Sequence, residues 1–193
     1  MFWTSTINNL NNFNTIEFER KFKNGLGGNN PNLDVVLENN DNILAIESKF
    51  LEPLKKKSGN FAESYFNTED HRSNSKWYNL MKKINNNQIN FNYLDAVQLL
   101  KHFYGICYEK NNKNKVLFYL YWEPEHLKNK SPYDVHRQEI NKFSNFVKND
   151  ELLEFEVMTY QELWDYWKKD TNNKKLIGYI ENLEKRYNIS LSD

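Results

Sequence analysis

Three charged side chains lie within a short and otherwise largely apolar stretch of the chain, residues 32–50, which reads NLDVVLENNDNILAIESKF. They are Asp34, Glu47 and Lys49. A charge inside an apolar strand costs several kcal/mol unless it is paired or binds a metal. Carboxylate oxygens are the ligands that a hard divalent cation such as Mg²⁺ prefers. These residue types therefore indicate a site for cation-assisted chemistry.

The elements that must position these side chains are two β-strands joined by a polar turn at 39–42. Successive side chains in a strand point to opposite faces, so Glu47 and Lys49 share one face. Antiparallel pairing across the turn would place Asp34 opposite about Glu47, on that same face. Two facing carboxylates repel each other, and we expect a cation between them.

Apolar periodicity predicts the order helix, strand, strand, helix, strand, helix, strand, helix. Segment 53–93 has a poor pattern, and we expect loops and short helices there. This order is typical of an α/β sandwich with a mixed central sheet flanked by helices. We expect one domain over residues 1–193, with 53–93 as an insertion. The predicted helices cover 6–22, 92–109, 133–148 and 174–187, and the predicted strands cover 32–38, 42–51, 115–123 and 153–160.

The composition argues against several classes of protein. Lys plus Arg and Asp plus Glu both number 26, so net charge gives no support for a strongly basic nucleic-acid binder or a membrane-surface protein. Cys107 is the only cysteine, which suits a reducing cytoplasm. No segment approaches the ~20 apolar residues that span a bilayer. We therefore expect a cytoplasmic protein with no membrane partner.

Asp34 followed by Glu47-Ser48-Lys49 resembles the D…ExK motif of the PD-(D/E)XK nuclease superfamily, which has the restriction endonuclease-like fold. Longer segments within about residues 15–165 resemble a bacterial group of restriction endonuclease-like proteins. The resemblance implies a three-layer sandwich with an α-β-β-β-α-β core and the motif on its second and third strands. The predicted element order fits this core if a first strand is short or missing. The motif proline is displaced to Pro31. The matching segments read EFERKFKNGLGGNNPNLDVVLE, AIESKFLEPL, FAESYF, LDAVQLLKH, FYLYWEP and HRQEI.

The resemblance also implies an activity, Mg²⁺-dependent hydrolysis of phosphodiesters in DNA, in which Mn²⁺ can substitute for Mg²⁺. Asp34 and Glu47 would hold the metal, and Lys49 would orient the attacking water and offset transition-state charge. A further position in the family is a glutamate on the first helix. We expect Glu17 to fill it, because Glu17 falls on the apolar face of the predicted helix, with Glu19 as the fallback.

Several further residues have both a functional and an ordinary interpretation. Gln98 lies on the helix after the motif strands, and it either points at the site or makes a core contact. His102, four residues later on the same face, either contacts the site or is a buried histidine with its hydrogen bonds satisfied. Lys55, Lys56 and Lys57 follow the motif, and they either contact phosphates or are solvated loop lysines.

Two other functions are compatible with these residues. A catalytically silent module could keep the same scaffold for binding or assembly. An RNA-directed nuclease is also compatible with the motif, because the phosphate oxygens are common to both polymers. No separate sequence-reading domain is visible, so recognition would come from the 53–93 insertion or from a homodimer.

Overall fold

A five-stranded mixed β-sheet forms the centre of the protein. The computed structural model describes residues 13–27, 29–67, 69–124 and 127–187. The sheet has the order β1-β2-β3-β4-β5, in which β1, β2 and β3 are antiparallel neighbours and β3, β4 and β5 are parallel neighbours. The predicted mixed sheet is confirmed. Its strands are β1 (Thr15–Lys21), β2 (Asn32–Glu38), β3 (Asn42–Lys49), β4 (Asn114–Tyr121) and β5 (Glu154–Thr159).

Helices cover both faces of this sheet. The first three helices pack on one face, through a core that includes Trp77, Phe103 and Phe143. The fourth helix packs on the opposite face, where Leu163 meets Leu44 and Phe118 of the sheet. The protein is therefore an α/β sandwich of three layers, as expected. Its helices are α1 (Lys76–Asn85), α2 (Ala96–Ile106), α3 (Tyr133–Val147), α4 (Tyr160–Asp170) and α5 (Lys174–Tyr187).

The predicted helix over residues 6–22 is wrong for its described part, because residues 15–21 form β1. The segment TIEFERK alternates apolar and charged residues from Ile16 to Glu19, which is the period of a strand. Pairing with β2 then decides the conformation, from Thr15 opposite Glu38 to Lys21 opposite Asn32. Residues 6–12 of the predicted helix lie outside the described part of the chain. Strand β1 supplies the first strand that the predicted element order lacked.

Segment 53–93 contains short helices and loops, as predicted, and also the ten-residue helix α1. Arg72, in a 3₁₀ turn of this segment, is only 1% exposed. Its guanidinium pairs with Asp70 and donates to the Asn24 and Tyr104 carbonyl oxygens at 3.0 and 2.6 Å. This network fixes the insertion against α2 and against the turn that precedes β2. Whether the chain is one domain stays a prediction.

Two close contacts set the position of α2, the helix that carries His102. The Glu139 carboxylate of α3 accepts hydrogen bonds from the backbone N–H groups of residues 92–94, at 2.7–2.9 Å, just before α2 begins. At the other end, a Cβ added to Gly105 would lie 2.5 Å from Pro31 Cγ and 2.8 Å from Phe22 Cβ. Only glycine allows this approach between α2 and the turn before β2.

None of the helices in the described part of the chain is both long and apolar enough to cross a membrane. The expected cytoplasmic location stays a prediction.

Candidate active site

Strand β3 carries a buried ion pair near its C-terminal end. Glu47 is 1% exposed and Lys49 is 9% exposed. The Lys49 ammonium forms an ion pair with Glu47 Oε1, as two side chains separated by one residue on the same strand face can do. Ala45, the previous residue on this face, packs into the core under α1, α2 and α3. The pair therefore faces the helical layer that contains α2.

His102 of α2 meets the other oxygen of the same carboxylate. Its Nε2 atom lies 3.0 Å from Glu47 Oε2, and both side chains are 2% exposed. The contact is close but poorly aligned for a hydrogen bond, so Glu47 Oε2 and His102 Nε2 lack well-formed partners among the described residues. The other ring nitrogen, Nδ1, has no partner among them either. Glu47 is thus held between Lys49 and His102. Although burial alone would raise the pKa of Glu47, His102 and Lys49 outweigh burial and lower it.

Asp34 reaches the site from the neighbouring strand β2. The antiparallel register pairs Val35 with Ile46, and one step further along lie Asp34 and Glu47. Asp34 Oδ2 accepts a hydrogen bond from the Ser48 backbone N–H at 2.7 Å, which ties the carboxylate to β3. Asp34 is partly buried, and it lines a cavity on the α4 face of the sheet together with Ser48 and Tyr160.

The charge balance around Asp34 is negative. Burial raises the pKa of Asp34 above its ordinary value, the hydrogen bond from Ser48 opposes this in part, and the charge of Glu47 raises the pKa further. Lys49 offsets some of the repulsion, and Glu19 adds to it. The pKa values of the two carboxyl groups are therefore shifted in opposite directions. Such a pair of carboxylates favours the arrival of a cation.

The two candidate glutamates of β1 have different surroundings. The helical context predicted for Glu17 is wrong, since the residue lies on an edge strand. Its side chain is 52% exposed and pairs with Arg20 at 3.3 Å, and the largest influences on the pKa of Asp34 do not include it. Glu19 accepts a hydrogen bond from Asn32 and does act on Asp34. The backbone at Glu19 is left-handed, with φ of 53°, and Glu19 has no partner in the register between β1 and β2.

The remaining predicted residues, Gln98 and three lysines, are not members of the Glu47–Lys49 pair. Gln98 lies one helical turn before His102, and both side chains line a polar groove beside α2. Lys55 and Lys56 are exposed and Lys57 is partly buried, in the segment after β3. Their contacts with phosphates stay a prediction.

Two carboxylates, Asp34 and Glu47, are the oxygen ligands that the site offers. The described residues contain no cluster of three or more His, Cys, Asp or Glu side chains arranged to hold a metal. Mg²⁺ does not require such a cluster, because it is usually bound through one or two carboxylates together with phosphate oxygens and water. The buried Oε2 atom of Glu47, which lacks an aligned partner, and the raised pKa of Asp34 both fit a divalent cation.

Sequence reasoning missed two residues beside the site. Asn32, the first residue of β2, donates to Glu19, while its Oδ1 atom is buried without a hydrogen-bond partner among the described residues. Its proximity to Asp34 in sequence was the only available signal. Tyr160, at the start of α4, shares a 2.6 Å hydrogen bond between its hydroxyl and Ser48 Oγ. No local pattern links residues 48 and 160.

A family model described as "Restriction Endonuclease associating with ARP" matches residues 2–188 of the chain. No curated protein and no solved structure matches the chain significantly.

Proposed function

The chain belongs to the family "Restriction Endonuclease associating with ARP", and from this premise we propose that it is a metal-dependent nuclease of the PD-(D/E)XK type that cleaves DNA. One observation carries the proposal. The Lys49 ammonium and the Glu47 carboxylate form a buried pair on β3, beside Asp34 of β2. Two carboxylates that can hold a divalent cation and an ammonium that can offset developing charge are groups that metal-assisted phosphodiester hydrolysis can use.

Each side chain has a role that its surroundings support. Asp34 and Glu47 bind the cation, preferably Mg²⁺, with Mn²⁺ as a substitute. When bound, the cation supplies Lewis acidity toward a phosphoryl oxygen and lowers the pKa of a coordinated water. Lys49 orients the attacking water and offsets negative charge that develops on the phosphoryl oxygens. His102 is a positioning residue, because it contacts Glu47 from the side opposite Lys49.

Cleavage of supercoiled plasmid DNA tests the proposal. We expect the wild-type protein to nick the plasmid with Mg²⁺ or Mn²⁺ and to leave it intact in EDTA. Lys49→Met keeps most of the side-chain volume and removes the ammonium, so we expect it to abolish nicking. Lys83→Met, on the exposed side of α1, is the matched control and retains activity. Circular dichroism confirms that both variants are folded.

A failure of wild-type cleavage would count against this proposal. Single-stranded DNA, linear DNA and RNA belong in the same assay, because hydrolysis acts on phosphate oxygens present in every one of them. Cleavage of RNA alone would redirect the proposal to an RNA-directed nuclease.

The alternative is a catalytically silent module that uses the same scaffold for binding. The pairing of Lys49 with Glu47 favours it, because an ammonium already neutralises one proposed metal ligand. Calorimetry with Mn²⁺ separates the two functions. A nuclease site releases or absorbs heat on binding Mn²⁺ and loses this signal in Asp34→Ala, whereas a silent module gives no such heat in either protein.

A further inference from the structure

A polar groove of about 460 Å³ lies directly beside the candidate active site. Three side chains of α2, namely Gln98, Lys101 and His102, form one wall of the groove, and Asn32 and Asn60 belong to the segments on its other sides. Its volume falls in the range of about 300–1,000 Å³ that is typical of small-ligand sites. His102 connects the groove to the site, because the same ring lines the groove and contacts Glu47.

Two buried polar atoms of residues that line the groove lack hydrogen-bond partners in the described part of the chain. His102 is 98% buried, and its Nδ1 atom has no hydrogen-bond partner among the described residues. The same holds for Asn32 Oδ1, which is also buried. Buried polar atoms are normally hydrogen-bonded, and an orphan needs an explanation. A ligand that offers both donors and acceptors would satisfy these atoms.

The chemistry of the lining selects the class of ligand. Among the described residues that line the groove, Lys101 is the only lysine or arginine, so the lining is poorly suited to several phosphate groups. Side-chain amides of Asn and Gln carry both a donor and an acceptor, and they pair in a bidentate way with the edge of a base. The ring of Tyr65 adds an apolar wall, which a flat base can contact.

We infer that this groove binds one unpaired nucleobase of the strand whose phosphodiester lies at Asp34, Glu47 and Lys49. The inference rests on the proposed function, and it adds a subsite that reads the base rather than the backbone. The base must be unpaired, because hydrogen bonds between its edge and the Gln98 amide, together with one accepted by Asn32 Oδ1, replace those of a base pair. Single-stranded or locally opened DNA meets this condition.

Fluorescence anisotropy in EDTA, where no cleavage occurs, tests the groove independently of catalysis. The ligands are single-stranded DNA of about 12 nucleotides and an abasic phosphodiester backbone of the same length. We expect wild-type protein to bind the base-bearing strand about tenfold or more tightly than the abasic strand. Gln98→Met removes the amide at nearly constant volume and should abolish this difference. Gln88→Met, an exposed position outside the groove, is the matched control and keeps it.

Three results would overturn the inference. In the first, wild-type protein binds the base-bearing and the abasic strand with equal affinity. In the second, Gln98→Met weakens the binding of both strands equally. In the third, wild-type protein binds neither strand. The variant Asp34→Asn, which lacks a proposed metal ligand, distinguishes a failure of this inference from a failure of the proposed nuclease. A preference for bases that persists in this variant supports the groove, whatever the cleavage assay shows. Absence of metal-dependent cleavage in wild-type protein contradicts the nuclease alone.

Discussion

Replacing Asp34 by asparagine should make the metal-free protein more stable while removing its response to metal. In the folded protein, burial and the charge of Glu47 raise the pKa of Asp34. At neutral pH the ionised Asp34 therefore opposes folding. An asparagine keeps an oxygen that can accept the Ser48 N–H hydrogen bond, and it carries no charge to be repelled.

The magnitude follows from linkage. One unit of pKa corresponds to about 1.4 kcal/mol, and solvent screening of a carboxyl that is only half-buried reduces the effect. We expect Asp34→Asn to raise the free energy of unfolding by roughly 0.5–1 kcal/mol at pH 7.

The sign of the pH dependence is fixed by the direction of the pKa shift. A carboxyl with a raised pKa binds its proton more readily in the folded state than in the unfolded state. Wild-type stability therefore increases, relative to the variant, as pH falls from the raised folded-state pKa toward the unfolded value. The advantage of Asp34→Asn should be full at pH 7 and should shrink through this acidic window.

Urea denaturation with and without Mn²⁺ is the assay. A ligand at about 100 times its dissociation constant stabilises the folded state by about 2.7 kcal/mol, so the wild type should gain this amount and the variant little. The order of stability then reverses, with the variant more stable in EDTA and the wild type more stable in Mn²⁺. Asp41→Asn, an exposed position in the β2–β3 turn, is the matched control. A variant less stable than wild type in EDTA, or one that Mn²⁺ stabilises equally, would refute this reasoning.

The other predictions concern the partners of the same site. Lys49→Met leaves buried Glu47 without its ion-pair partner, so urea denaturation should show a loss of about 3–5 kcal/mol, and a loss below 1 kcal/mol would contradict the buried pair. His102→Leu removes the contact with Glu47, and we expect the rate of DNA cleavage to fall about 10- to 100-fold, with partial rescue by His102→Gln, which keeps a donor nitrogen. Equal rates in both variants would argue against a positioning role. Arg72→Met removes the cation that pairs with Asp70 and leaves two carbonyl oxygens without their guanidinium donor, so it should destabilise the protein by about 3–5 kcal/mol in the same urea assay, whereas exposed Arg186→Met should change stability by less than about 0.5 kcal/mol.

The pattern of β2 and β3 could be predicted from the sequence because the information is local. Alternation along β3 determines that Glu47 and Lys49 share a face, and the short turn between the strands restricts the register to bring Asp34 near them. The order of the later elements was also recoverable, since β4 is apolar from Val116 to Tyr121 and α3 follows a proline. In each case a few neighbouring residues carry the signal.

The errors arose where contacts distant in sequence decide the structure. Residues 15–21 fit part of a helical pattern, but hydrogen bonds to β2 make them a strand, and this removes Glu17 from the proposed inward face. The contact between His102 and Glu47 depends on where α2 packs, which Gly105 and Glu139 determine together. None of these constraints is expressed as a periodicity in the sequence.

The cost of the charges at the site bears on which of the two functions is the better proposal. Lys49 neutralises Glu47 inside the sheet. The unfavourable electrostatic free energy that remains is therefore mainly that of the Asp34 carboxylate, whose pKa is raised by burial and by Glu47. A scaffold that only binds or assembles gains nothing from an aspartate that opposes folding, and asparagine would serve the hydrogen bond from Ser48 equally well. An enzyme gains a ligand that attracts a divalent cation and is stabilised when the cation binds. Because the same cation would compete with Lys49 for Glu47, its binding would also make the ammonium available to a phosphate, which a silent module does not need.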